Sequence, residues 1–217
     1  MTRTQAFALA AAAILSPLLI TAVIVTAAGS FDDVTDNAVP QPKRPTSFNA
    51  DTLPIVHLDR CPTGDALLPQ PATGKDLLPD LTLECIGEHG STDTLSLRRL
   101  GGVPTVINLW QTLCEPCKAE MPDLQEVYAD AGGKVRVLGV NSKDDAGAAR
   151  STINLTAVRY PSVADPSDLV KIGVGAFAMP TTIFVSAQGR VVHVKTGQYP
   201  NAAAIKDDIA EHLGVRL

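Results

Sequence analysis

The chain has 217 residues, 45% of them hydrophobic, and carries 18 basic against 23 acidic side chains for a formal charge of -5. With no long Lys/Arg run there is no electrostatic footing for a nucleic-acid partner, and none is expected. The length fits one domain of α/β size plus an appended segment, not two large domains.

The first element is apolar. Residues 6–28, "AFALAAAAILSPLLITAVIVTAA", hold no charged side chain, and that length suits a helix crossing a hydrocarbon core of roughly 30 Å. Residues 1–29 are therefore expected to be a membrane anchor or uncleaved signal. Arg3 precedes the run and Asp32, Asp33 and Asp36 follow it, which places the amino end inside and the remainder outside. The rival is a removed signal peptide, with small residues in "TAAGS" for a peptidase. Either way the domain is delivered outside the cytoplasm, as a single-pass membrane protein or as a secreted one. Residues 30–52 mix acids, prolines and small polar residues and read as a flexible linker. The domain proper is expected over 53–217, with a turn-rich extension at 53–79.

Within it, "VPTVINLW" at 103–110 is a nearly continuous apolar run and predicts a buried central strand. Ala119, Met121, Leu124, Val127 and Tyr128 then recur at helical spacing over 116–128, with Pro122 expected to kink that helix. Residues 135–140 predict a second strand, 144–155 a weaker helix, and 166–170 a short one. Two β-rich runs, 181–186 and 190–195, flank a Gly-containing turn and predict a hairpin. Ala204, Ile205, Ile209 and Leu213 mark a closing helix over 201–213.

Chemistry concentrates in "CEPC", between the first strand and its helix. Two cysteines three positions apart can form half of a zinc site, a structural cross-link, or a dithiol that opens and closes in turnover. Zinc needs further ligands. Cys61 and Cys85 lie upstream without a second CxxC, and His57, His89, His193 and His212 are scattered without a ligand pattern; no metal site is expected. A helix start offers unpaired N–H groups that favour a thiolate. Cys114 is thus the expected attacking thiol and Cys117 the resolving one, in a cycle that needs no organic cofactor. Glu115 places negative charge beside Cys114 and opposes a lowered thiol pKa, while Pro116 removes a donor and restricts the turn.

Three stretches together, "DLTLECIGEHGSTDTLSLRRLGG" at 80–102, "NLWQTLCEPCKAEMP" at 108–122 and "AMPTTIFVSAQGRVV" at 178–192, resemble the thioredoxin-like superfamily. Within it they resemble the membrane-tethered, extracytoplasmic TlpA/ResA-like thiol-disulfide oxidoreductases. The resemblance implies an α/β thioredoxin-like fold, a central mixed β-sheet flanked by α-helices, behind an N-terminal transmembrane helix. It implies that Cys114 and Cys117 are the redox pair and that Trp110 packs near the entrance and contributes to substrate binding. Met179, Pro180 and Thr181 match a loop with a cis X-Pro bond that faces the dithiol and aligns an extended substrate. Asn108 stands where cytoplasmic thioredoxins often carry a buried Asp, and Glu120 is a replacement for handling the resolving thiol's proton; its alternative is a solvated helix carboxylate. Leu113 departs from the more usual Trp. With the dithiol assigned, Cys61 and Cys85 form the favoured structural disulfide. At family level the CEPC segment implies reduction of protein disulfides, with apocytochrome c as client in cytochrome c maturation and a CcdA-like membrane electron donor. A disulfide-forming oxidase of secreted proteins, a peroxide-reducing thiol enzyme and a non-catalytic thioredoxin-fold adaptor stand as alternatives.

Overall fold

A computed structural model describes residues 58–87 and 93–217. The expected anchor, the linker, His57 and His89 lie outside them. Among the described residues no helix is long and apolar enough to cross a membrane.

The strands, in chain order, are β1 (Thr82–Ile86), β2 (Thr94–Ser96), β3 (Thr105–Trp110), β4 (Arg136–Ser142), β5 (Ser162–Asp165), β6 (Thr181–Val185) and β7 (Val191–Thr196). The helices are α1 (Glu115–Ala131), α2 (Ala146–Thr156), α3 (Leu169–Gly173) and α4 (Ala202–Leu213). One mixed sheet runs in the order β2-β1-β5-β4-β3-β6-β7. β3 pairs parallel with β4 and antiparallel with β6. Every residue of β3 is buried, which is why its sequence is a continuous apolar run rather than an alternating one.

The period-2 geometry of β3 sorts the two layers. Val106 and Trp110 point into a cluster with Cys117, Met121, Leu124 and Val127 of α1, Ile153 of α2, and Ile205 and Ile209 of α4. Ile107 and Leu109 point the other way, into a cluster with Leu78, Leu83, Leu95, Leu97, Leu138, Val163, Val170 and Ile183. Gly139 of β4 makes the first cluster possible: a Cβ there would sit 2.4 Å from Ser162 Oγ and 3.0 Å from Trp110 Nε1. The indole occupies the room that the missing side chain leaves.

Helix ends follow local chemistry. Asn201 caps α4 by accepting from Ala204 N, and Asp145 caps α2 by accepting from Gly147 N and Ala148 N. Gly132 closes α1 and Gly214 closes α4 in the left-handed conformation. α1 runs on through Pro122 for 17 residues. Two elements differ from expectation. The short helix starts at Leu169, not 166, because the buried Asp165 carboxylate accepts from Leu169 N and Val170 N and sets its first turn. The segment before it is a strand, β5, too short to show a period yet central enough to pair with both β4 and β1.

The extension packs onto this core. Arg99 Nε donates to Leu68 O at 2.9 Å, Arg136 Nη2 donates to Ala66 O at 2.6 Å, and Leu78 is buried. Cys61 is bonded to Cys85 of β1 across 24 positions, tying the extension to the sheet. Closing a loop of that size removes unfolded-state freedom worth about 3 kcal/mol. Replacing both residues by Ser is expected to lower stability by about that amount, read as a drop in denaturant midpoint with an unchanged far-UV spectrum.

Candidate active site

The site is built where two neighbouring strands change over to loops. β3 ends at Trp110, and its antiparallel neighbour β6 begins at Thr181, in register with Leu109. The CEPC turn and the Met179–Pro180 loop therefore emerge at the same edge of the sheet. The Met179–Pro180 peptide is cis.

The turn before the dithiol is held from below. Thr112 N and Asn141 Nδ2 both donate to Asp144 Oδ2 at 2.6 Å, and Cys114 N donates to Gln111 O. Cys114 then occupies the N-cap of α1 in extended conformation, its sulfur accepting from Cys117 N at 3.2 Å. Pro116 sits within the first turn, where no intrahelical N–H bond is lost. Cys114 is partly exposed, Cys117 is wholly buried, and the two are joined as a disulfide. One sulfur is open to a partner and the other faces the protein interior.

Glu120 lies one helical turn beyond Cys117 and is fully buried. It is not a solvated helix carboxylate. Asn108 Nδ2 donates to its Oε1 at 2.6 Å and Tyr199 N donates to its Oε2 at 3.0 Å. Burial pushes its pKa from the ordinary 4.5 up to about 7, against the lowering effect of those two hydrogen bonds and of the Lys195 charge. Lys195 itself lies over the Tyr199 ring, 4.0 Å from its centroid.

The other singled-out residues fall in different places. Glu115 is exposed and pairs with Lys118 Nζ at 2.6 Å, so part of its charge beside Cys114 is cancelled. Trp110 is fully buried in the cluster that includes Cys117; it packs behind the dithiol and offers no surface to a substrate. Met179 is partly exposed, whereas Pro180 and Thr181 are buried. Thr181 Oγ1 donates to Ala178 O at 2.8 Å and so braces the loop from inside. Leu113 and Phe177, 92% and 85% exposed, set apolar side chains on the two segments that carry the dithiol and the cis loop.

Sequence reasoning passed over Asp144, Tyr199 and Asp208, and read His193 and His212 as scattered residues. Asp144 lies 30 positions from Cys114, and its hold on Thr112 exists only in three dimensions. Tyr199 reaches Glu120 through a backbone N–H, which any residue type would supply. His193, Asp208 and His212 come together with ligand atoms all within 4.8 Å of one another; the i, i+4 spacing of Asp208 and His212 was the available signal, and His193 arrives from another element.

The redoxin family profile matches residues 72–211. The chain is 33% identical over 127 residues to the thiol-disulfide oxidoreductase ResA of Oceanobacillus iheyensis, covering 56% of this chain and 64% of that protein. It is 30% identical over 138 residues to ResA of Geobacillus thermodenitrificans, covering 62% and 73%. The chain thus spans 64% of the Oceanobacillus relative, and 60% of the ResA of Halalkalibacterium halodurans. In structure it is similar to a secreted Mycobacterium tuberculosis disulfide oxidoreductase homologous to Escherichia coli DsbE, with TM-score 0.54 and 20% identity over 61% of this chain and 96% of that one. That likeness shows a thioredoxin-like fold. With the profile spanning most of the chain and ResA proteins among its relatives, this chain belongs to the redoxin family, with the ResA-like thiol-disulfide oxidoreductases.

Proposed function

We propose that this chain is an extracytoplasmic thiol-disulfide oxidoreductase that reduces disulfides in proteins, held to the membrane by its apolar N-terminal segment. The observation that carries this reading is the asymmetric dithiol: partly exposed Cys114 capping α1, bonded to buried Cys117, with buried Glu120 one turn further on. The thiolate of reduced Cys114 attacks a client disulfide, forming a mixed disulfide and releasing one client thiolate, which takes up a proton. The Cys117 thiol gives its proton to the Glu120 carboxylate and attacks Cys114 Sγ. The second client thiol leaves, and the Cys114–Cys117 disulfide remains. Two electrons and two protons pass to the client, and a membrane dithiol donor of CcdA-like type restores the cycle.

Support for a protein client comes from Leu113, next to Cys114, and Phe177, two residues before Met179 of the cis loop, both apolar and exposed. Isolated side chains need no explanation, but two on the paired site loops give an extended apolar segment something to lie against. Reduction of an apocytochrome c CxxC, within cytochrome c maturation, is the client chemistry that fits an extracytoplasmic reductant. Support for the reductive direction is Glu115, whose charge opposes a stabilised Cys114 thiolate even when shared with Lys118.

Three outcomes are expected. Cys114→Ser abolishes exchange and Cys117→Ser accumulates mixed disulfides through Cys114, read by mass mapping of trapped clients; trapping through Cys117 at an equal rate would reverse the assignment. Equilibration with thiol couples is expected to give a dithiol potential well below the roughly -120 mV of a strong periplasmic oxidant. A value at or above that level would make the chain an oxidase of secreted proteins instead.

The third outcome concerns Glu120. Its carboxyl titrates near 7 when folded and near 4.5 when unfolded, so the native state binds the extra proton between those values. Its stability contribution is present below pH 4.5 and is lost as pH rises through 7, a span of about 3 kcal/mol. Glu120→Gln is expected to flatten the pH dependence of the denaturant midpoint across that window. The same variant should slow resolution of the mixed disulfide roughly 100-fold and remove the inflection near pH 7 from its rate profile. An unchanged rate profile would leave Glu120 a structural residue only.

A further inference from the structure

Far along the chain from the dithiol, the end of the domain brings together a set of ligand-type side chains that exchange chemistry does not use. β7 contributes His193 and α4 contributes Asp208 and His212, which lie four positions apart and so share one helix face. The two imidazoles stack with centroids 3.8 Å apart and planes 13° from parallel. Phe184 of β6, in register with His193, backs both rings at 5.7 Å. Asp208 Oδ2 accepts a hydrogen bond from Tyr199 Oη, which leaves the other carboxylate oxygen to face a ligand. One donor atom from each of the three residues lies within 4.8 Å of the others, and all three side chains are partly exposed.

We infer that His193, Asp208 and His212 form a binding site for a divalent transition-metal ion, with Zn2+ the natural probe. Two imidazole nitrogens and one carboxylate oxygen are the donor set that borderline ions of this kind select, and three protein ligands leave a coordination position for water. Bonds of about 2.0–2.2 Å need donors within about 4 Å of each other, so a small rotation that opens the ring stack closes the set around one ion. The elements that carry the ligands are fixed independently of any ion, because Ile205 and Ile209 seat α4 in the core and β7 is paired with β6. The Tyr199 hydroxyl orients the carboxylate in the manner of an outer-sphere partner. Negative charge from Asp208 and Glu211 favours the cation, while Lys195 opposes it. The site is separate from thiol-disulfide exchange and does not rest on it, although Tyr199 touches both: its hydroxyl holds Asp208 and its backbone N–H holds Glu120.

The test is calorimetric titration of Zn2+ into the full, tag-free chain with both disulfides oxidised, since reduced cysteines would bind the ion themselves. Saturable 1:1 binding is expected, with shifts confined to two imidazoles in the histidine side-chain NMR spectrum. His193→Gln, His212→Gln and Asp208→Asn should each weaken binding by roughly tenfold or more, and Tyr199→Phe by a comparable factor at the lower end of that range. Saturating Zn2+ should raise the melting temperature of the native chain and leave that of the His193→Gln/His212→Gln double variant unmoved. The double variant's own far-UV spectrum and melt report that it is folded. No saturable binding to the native chain, or binding in the folded double variant within about twofold of native, a change well short of the loss expected for a true ligand, would overturn the site.

Discussion

A strand buried on both faces imposes the arrangement from which the site follows. β3 has no solvent side, so each of its residues must be matched by something from one layer or the other. Apolar residues meet apolar residues at Val106, Ile107, Leu109 and Trp110. Thr105 and Asn108 are the exceptions: the Thr105 hydroxyl donates to Val103 O and accepts from Arg136, and the Asn108 amide likewise requires a polar partner. α1 supplies Glu120, on the face it already presents to the sheet through Cys117, Met121 and Leu124. The carboxylate one turn beyond Cys117 is thus part of how the central strand and the first helix are matched.

Burial is also what gives that carboxylate its chemical character. In water a glutamate is ionised at neutral pH and a poor partner for a thiol's proton. Desolvation raises its affinity for a proton, and the N–H of Tyr199 and the amide of Asn108 limit the rise to about 7. Its proton is thereby held up to near neutral pH, above the ordinary carboxylate range. The residues that tune it come from β3 and from the turn before α4, far apart in sequence. Tyr199 continues the line of polar contact to Asp208, beside the stacked histidines. A single turn between β7 and α4 therefore touches both Glu120, beyond the Cys114–Cys117 disulfide, and Asp208, beside the stacked histidines.

The surface around the sulfurs is shaped by the same economy. Trp110, the largest side chain near the site, is consumed by the core, in the space left by Gly139. The exposed apolar side chains are instead Leu113, next to Cys114, and Phe177, two residues before Met179. The indole packs behind the dithiol, in the core.

Much of this was legible in the sequence, and for physical reasons. The continuous apolar run at 103–110 and the helical spacing after it fix β3 and α1, because burial on both faces and burial of one stripe leave different periods. The CEPC turn at a helix start dictates which sulfur faces outward, since an N-cap residue lies outside the helix and a residue three positions on lies within it. What the tertiary structure alone decided is whatever depends on which faces meet. A carboxyl at 120 has the same letter whether solvated or buried, and only Asn108 and Tyr199 closing over it make the difference. β5 has no period to read and is a strand through its pairing with β4 on one side and β1 on the other. Trp110 was placed at the entrance by resemblance and in the core by packing. His193 and His212 are scattered in sequence and stacked in space, because a strand and a helix brought together by an apolar interface carry their polar residues along with them.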